Sequence, residues 1–267
     1  MGLEMGTNNK LPRVSVLLPV HKVDAYFPAA VDSILAQDFQ DYELLIIANG
    51  CIDDDFNAIY NRYSENPAIR IVRTEIKGLS FALNLGTHLS RGNYIARMDA
   101  DDIADKSRLK NQVDILDHHS DIGVVSTSYS YIDENGSIFS ESEFGGLTND
   151  DIKNLLPYFC CIAHPTVMLR KEILNKLGGY SFGRYSEDYD LWLRIARELP
   201  DVKFQRLDKK LLLYRRHRQQ VTSAKNLNTI RIYNLTLKAR ELFLTKNISF
   251  FFGLLIPTRI IIKLKLK

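Results

Sequence analysis

In the stretch Tyr94-Ile95-Ala96-Arg97-Met98-Asp99-Ala100-Asp101-Asp102, an apolar run ends abruptly in three carboxylates within four residues. Carboxylates crowded this closely repel one another unless a positive charge sits among them. A divalent cation carrying phosphate meets that need through oxygen ligands. The plain structural alternative is an acidic turn that caps the following helix, with Asp102 or Asp105 as the cap. A second cluster, Ser186-Glu187-Asp188-Tyr189-Asp190, opens a later helix. Acidic residues suit a helix start through the macrodipole alone, but a carboxylate there can also act as a general base. His217 stands in the basic run Arg215-Arg216-His217-Arg218. A lone histidine is more often surface or core than a ligand, so only its placement beside the carboxylates would give it chemistry.

These groups need elements to hold them. Val14-Ser15-Val16-Leu17-Leu18-Pro19 and Glu43-Leu44-Leu45-Ile46-Ile47-Ala48 are near-continuous apolar runs, as expected for strands buried on both faces of a parallel sheet. Residues 69–72 and 93–98 give two further strands. Helices are predicted over 28–37, after Asp53-Asp54-Asp55, and over 80–89. Strands and helices alternating at this spacing predict βαβ units. Open sheets of that kind bind ligands at the carboxyl ends of their strands, which is where Asp99 and Asp101 fall. Beyond the acidic turn, a helix is predicted over 106–118 and a long strand over 122–132. The run Asp133-Glu134-Asn135-Gly136 is a hairpin turn. Residues 141–157 read as loop plus a short helix, 166–169 as a strand, and 171–177 as a helix ended by Gly178-Gly179. A helix over 191–198, strands over 203–206 and 211–216, and a helix over 226–244 follow. No G-x-G-x-x-G follows the first strand and no P-loop is present, which argues against dehydrogenases and P-loop NTPases.

The chain has 267 residues, 45% hydrophobic and 25% charged, with a net charge of +3. That composition is globular and too mildly basic to argue for nucleic acid. Cys51, Cys160 and Cys161 lack zinc spacing and suit a reducing compartment. The polar N-terminus has no apolar signal core. The tail from Ile248 to Ile262 is strongly apolar, with Phe250-Phe251-Phe252 and Ile260-Ile261-Ile262 beside Lys263, Lys265 and Lys267. Pro257 and Arg259 interrupt it, and it is shorter than the roughly 20 residues that span a bilayer. A segment lying in the interface of an anionic membrane is expected. The alternative is a terminal helix packed on its own domain.

The pieces taken in order resemble the family 2 inverting glycosyltransferases. The likeness runs through Ser15-Val16-Leu17-Leu18-Pro19-Val20, Asn49-Gly50, Gly78-Leu79-Ser80 with Asn84-Leu85-Gly86, Arg91-Gly92-Asn93-Tyr94-Ile95-Ala96 and Asp99-Ala100-Asp101-Asp102. It continues in His164-Pro165-Thr166, Gly178-Gly179-Tyr180, Glu187-Asp188-Tyr189-Asp190-Leu191-Trp192 and Tyr214-Arg215-Arg216-His217. The resemblance implies an α/β GT-A fold, with a Rossmann-like nucleotide-binding half, a mixed central sheet and here a C-terminal helical, amphipathic extension. The expected organisation is a tail over 1–12, a transferase domain over 13–223 and a membrane-associating segment over 224–267. The transferase domain divides into a nucleotide-binding half over 13–102 and an acceptor half over 103–223.

The resemblance also implies a UDP-sugar donor, Mn²⁺ or Mg²⁺, and inversion. It makes Asp188 the catalytic base and Asp101 the direct metal ligand. Asp99 is expected on ribose or the metal's water shell, and His217 as a further ligand or diphosphate contact. Donor contacts are expected from Pro19, Val20, His21, Asn49, Leu79, Asn84, Asp99, Ala100, Asp101 and Arg215. Acceptor contacts are expected from His164, Tyr180 and Glu187.

Three departures stand out. Asn49 replaces the aspartate that usually reads uracil, although an amide can still pair with the base. Leu83 replaces an arginine and removes one phosphate contact. Gln219-Gln220 does not make the Gln-x-x-Arg-Trp signature of processive synthases. The expected activity is single addition of glucose or galactose to a lipid-linked oligosaccharide at the inner face of the cell membrane, in surface polysaccharide assembly. A catalytically silent nucleotide-sugar-binding protein is the alternative, and retention of Asp99, Asp101 and Asp188 argues against it. A nucleotidyltransferase would need a glycine-rich triphosphate loop near residue 20.

Overall fold

The computed structural model describes residues 11–181, 183, 185–218, 220 and 226–265. The polar N-terminal tail up to Lys10, Gln219, the boundary at 223–224, Lys225 and Lys267 lie outside the described residues. So do the side chains of Arg259 and Lys265.

The two apolar runs at the start form strands β1 (Val14–Val20) and β2 (Tyr42–Asn49), each buried along its whole length. Alternate side chains explain the uninterrupted pattern. Val16, Leu18, Leu44 and Ile46 enter one core, while Leu17, Leu45 and Ile47 enter a second core across the sheet. Helices α1 (Phe27–Leu35), α2 (Asp53–Tyr63) and α3 (Leu79–Leu89) connect β1, β2, β3 (Ile69–Thr74) and β4 (Tyr94–Arg97). All four strands are parallel, in the order β3-β2-β1-β4. The chain order reverses between β1 and β4, so a crevice opens beyond their carboxyl ends. The acidic turn begins two residues beyond β4.

The second half makes the sheet mixed. A two-residue strand β5 (Ile103–Ala104) and helix α4 (Arg108–His118) lead into the long strand β6 (Ile122–Ile132). The Asp133–Gly136 turn returns the chain as β7 (Ile138–Glu141), an edge strand paired with β6. Helix α5 (Asn149–Leu155) carries a capping box from Thr148 and Asp151. The strand predicted over 166–169 divides into a 3₁₀ turn over His164–Thr166 and the short strand β8 (Met168–Arg170). Strand β8 is antiparallel to both β4 and β6, and joins the two halves into one sheet. Helix α6 (Lys171–Leu177) ends at Gly178, whose φ of 72° a side chain would strain.

Helix α7 (Glu187–Glu198) follows, and then β9 (Lys203–Arg215), parallel to β6. The two late strands predicted from the sequence are therefore one. Thr127 pairs with Leu207 and the next residue, Ser128, with Lys210, so Asp208 and Lys209 bulge from the ladder. Their polarity resembles a break but marks a bulge. Beyond β9, α8 (Leu227–Thr245), α9 (Ile248–Leu255) and α10 (Thr258–Lys265) form the C-terminal extension. Among the described residues, no helix is long and apolar enough to cross a membrane.

The tail divides its apolar residues between two surroundings. Phe250 and Gly253 are buried against the domain, whereas Phe251, Phe252 and Leu255 are exposed. Leu83 is fully buried in the second core beside Leu17 and Ile47, so the residue that replaces an arginine is a packing residue here.

Candidate active site

The acidic turn is closed from far along the chain. Asp102 is not a helix cap: it is buried, and its Oδ1 accepts from the backbone N–H of Arg215 at 2.8 Å, at the end of β9. The Arg215 guanidinium donates to the carbonyls of Asp101 at 2.9 Å and Asp133 at 2.9 Å, and lies 4.4 Å from the ring centre of Tyr26. These bonds commit Arg215 to fastening the acidic turn to the β6–β7 turn. His217, immediately beyond, places Nε2 at 2.9 Å from Asp101 Oδ2, and the Gln220 amide donates to the same oxygen at 3.1 Å. Tyr26 also faces the His217 ring, with centroids 5.2 Å apart.

One ligand oxygen from each of Asp99, Asp101 and Asp102 lies within 4.8 Å of the others. Burial, followed by the charges of Asp99 and Asp101, holds the Asp102 carboxyl well above the usual carboxylate range. Its Oδ2 is buried without a hydrogen-bond partner. A set of hard oxygens with one imidazole at its edge fits Mn²⁺ or Mg²⁺ better than a soft metal. Asp99 has a second commitment, since Arg97 Nη1 lies 2.5 Å from its Oδ1. That guanidinium is almost fully buried, so Asp99 is held at the strand end by a fixed positive charge.

The second cluster sits at the start of α7 in a different environment. Burial first, and then the neighbouring charge of Glu187, push the Asp188 carboxyl up to about 6. The charge of Arg97 and the Tyr189 N–H, which donates to Oδ1 at 2.7 Å, offset this only in part. Burial and the Asp188 charge keep the Cys160 thiol protonated, and its Sγ lies 3.8 Å from Asp188 Oδ2. Glu187 is raised by burial as well. His164 is lowered to about 4, by burial first and then by Arg97, so it is neutral at pH 7. Its 3.6 Å approach to Glu187 is therefore not an ion pair. The other ring nitrogen meets the Tyr180 hydroxyl at 3.0 Å. Glu187, His164 and Tyr180 thus form one buried group beside Asp188.

The donor-side residues gather at the carboxyl ends of the first strands. Pro19 and Val20 are buried at the tip of β1, and His21 is exposed just beyond it. Asn49 ends β2, buried, with its amide donating to the Gly78 carbonyl at 3.4 Å. Leu79 opens α3 and is half-buried, and Ala100 lies inside the acidic turn. Asn84 is used otherwise. It donates to the Tyr180 carbonyl at 2.9 Å and accepts from the Tyr180 N–H at 2.8 Å, fixing the Tyr180 backbone. Tyr26, Arg97, Cys160 and Gln220, and the burial of Asp102, join these groups without having been expected from the sequence. Only Arg97 carried a signal, as a charge inside an otherwise apolar strand.

Residues 15–178 match the family described as Glycosyl transferase family 2. The chain belongs to that family and is a glycosyltransferase with a mixed α/β, GT-A-like architecture. It is 39% identical over 208 residues to the O-antigen biosynthesis glycosyltransferase WbnJ of Escherichia coli, covering 78% of this chain and 81% of that protein. It is 30% identical over 207 residues to an uncharacterized glycosyltransferase of Methanocaldococcus jannaschii, covering 76% and 71% of the two chains.

Among solved structures, S. aureus TarS 1-349 in complex with UDP superposes with a TM-score of 0.64 at 17% identity, over 85% of this chain. The mannosyltransferase PcManGT of Pyrobaculum calidifontis, in complex with GDP-Man and Mn²⁺, superposes with a TM-score of 0.62 at 18% identity, over 88% of this chain. The chain spans 65% of the length of each of these two structures. At such identities the likeness is one of fold.

Proposed function

We propose that this enzyme transfers one hexose, glucose or galactose, from a UDP-sugar to a hydroxyl of a lipid-linked oligosaccharide, with inversion, in surface polysaccharide synthesis. The observation that carries the reading is the closure of Asp101 by His217, separated by 116 residues in the chain, beside Asp99 and Asp102. The O-antigen relative supports the pathway, and the UDP complex of a protein of like fold supports the nucleotide.

In this reading the acceptor hydroxyl gives its proton to the Asp188 carboxylate as its oxygen bonds to the anomeric carbon. The bond from that carbon to the diphosphate breaks with its electron pair, and the charge leaves on UDP. A base pushed up to about 6 is still ionised at neutral pH, while being a stronger proton acceptor than an ordinary carboxylate. Asp101 and His217 would hold Mn²⁺ or Mg²⁺, with Asp99 on the ribose or the ion's water shell. When bound, the ion supplies positive charge to the departing diphosphate.

Pro19, Val20, His21, Asn49, Leu79 and Ala100 line the donor side. Glu187, His164 and Tyr180 face the acceptor side. Asn84 and Arg215 act by fixing Tyr180 and the acidic turn. The donor half is 13–102 and the acceptor half 103–223, and the extension rests on the inner face of the cell membrane. Exposed Phe251, Phe252 and Leu255, with Lys246 and Lys263 at the surface, suit an anionic interface.

The test is a thermal-shift screen of UDP- and GDP-sugars with Mn²⁺, Mg²⁺ or EDTA. Stabilisation by UDP-glucose or UDP-galactose that requires the metal is the expected result. Stabilisation by GDP-sugars alone would overturn the uridine assignment.

A further inference from the structure

Ser186 directly precedes Glu187 and Asp188 and has a φ of 62°, left-handed for a residue that carries a side chain. Such a conformation persists only where its surroundings over-determine it. Here the surroundings are α8. The Ser186 hydroxyl donates to Asn234 Oδ1 at 2.6 Å. The Tyr185 ring meets that of Tyr233 at 5.5 Å, and the Tyr185 hydroxyl donates to Asn226 Oδ1 at 3.3 Å. One turn into α7, buried Asp190 is held by Arg194 at 2.8 Å and by Arg240 of α8 at 2.6 Å. Buried Glu241 in turn takes Arg240 at 2.8 Å and is paired with Arg197 of α7.

The other flank of Asp188 is held by the same extension. Cys160, whose thiol faces Asp188, lies on the 157–161 loop. Buried Lys238 donates to the Tyr158 carbonyl of that loop at 2.5 Å and to the Gly253 carbonyl at 2.9 Å. Gly253 packs so closely that a Cβ there would lie 1.9 Å from the Pro157 oxygen. The polar contacts of α8 therefore converge on α7, whose start carries Asp188, and on this loop, which carries Cys160 beside it. The region matched to the family ends at residue 178, before either Asp188 or the helix that braces it.

We propose that the α8–α9 extension is a clamp for Asp188, and that Asn234 is its positioning residue. The inference rests on the reading of Asp188 as the base. Misplacing a reacting group by about 1 Å can cost on the order of 100-fold in rate. Loss of the clamp should lower kcat and leave the donor end unchanged.

The experiment compares wild type, Asn234→Ala, Asn234→Asp and Asp188→Asn in full-length protein, measuring kcat, donor KM, UDP affinity with Mn²⁺ and Tm. Asn234→Ala should lose about 10-fold or more in kcat, with donor KM and UDP affinity unchanged. Asn234→Asp keeps the oxygen that accepts from Ser186 and should recover most of the loss. Wild-type kcat in Asn234→Ala overturns the clamp, as does a joint fall in kcat and UDP affinity. A loss that Asn234→Asp does not recover overturns it too. If Asn234→Ala does not fold, Ser186→Ala severs the same bond and is judged by the same criteria. Asp188→Asn separates the two readings. Substantial residual turnover there removes the base itself, whereas an inactive Asp188→Asn beside a fully active Asn234→Ala removes only the clamp.

Discussion

The two acidic clusters use the same residue types, yet their surroundings give them opposite characters. The Asp99–Asp102 turn brings three carboxylates together and borders them with fixed cations, Arg97 and Arg215, and with His217. Buried Asp102 still carries an unpartnered oxygen. Such a place is completed by added positive charge. The start of α7 brings together Glu187 and Asp188 among Cys160, Tyr180 and His164, all uncharged at neutral pH. Desolvation dominates there and raises the affinity for a proton. In the proposed function, crowded carboxylates serve as a cation site where hydrogen bonds and charges surround them, and as a base where burial outweighs the nearby cation, Arg97.

The sharpest break of this contrast is Asp188→Asn. It should lower kcat by about 10³-fold, within the usual range for loss of a general base, with metal-dependent UDP binding intact. Isothermal titration beside a UDP-release assay checks both halves, and substantial residual transfer would sink the base assignment. Asp101→Ala should do the converse. UDP affinity in Mn²⁺ should fall by about 100-fold, as losses at metal sites commonly do, down to the value seen in EDTA. Equal UDP affinity with and without Mn²⁺ in the wild type would remove the metal role.

The pH profile separates the clusters more gently. Asp188 must be ionised to accept a proton, and its folded value is raised to about 6. Activity should therefore fall about tenfold per unit below that point and level off above it. UDP-release rates measured from pH 5 to 8 at saturating donor decide this. A profile flat down to pH 5 would contradict it. The smallest effect is expected at the tail. Replacing exposed Phe251 and Phe252 with serine should reduce sedimentation with anionic vesicles and leave kcat on a soluble acceptor unchanged. Equal partition of the two proteins would make the exposed face irrelevant to lipid.

The sequence exposed one cluster's scaffold better than the other's. Strands β1, β2 and β4 were legible because each is buried along its whole length, and continuous apolar runs admit few other readings. Asp99, Asp101 and Asp188 stood out as candidates through the order of motifs. What could not be read were bonds from side chains to distant backbone. Arg215 holds the Asp101 carbonyl across 114 residues and Asn84 holds Tyr180 across 96. Carbonyl acceptors leave no trace in residue identity. The continuity of β9 was hidden for a related reason, since a bulge at Asp208 and Lys209 has the polarity of a loop. Burial of Phe250 and Gly253 within an apolar tail was equally invisible, because composition does not say which face of a short helix meets its own domain.

The closure of the acidic turn by β9 has a consequence for synthesis. Asp102 finds the backbone of Arg215 only 113 residues later in the chain. His217 and Gln220, which reach Asp101, emerge from the ribosome later still. A nascent chain can form the parallel strands early, but it carries an unfinished acidic turn until nearly the whole transferase domain has been translated. Under the proposed function, competence to engage donor would thus arrive late, once α7 with Asp188 has already been made.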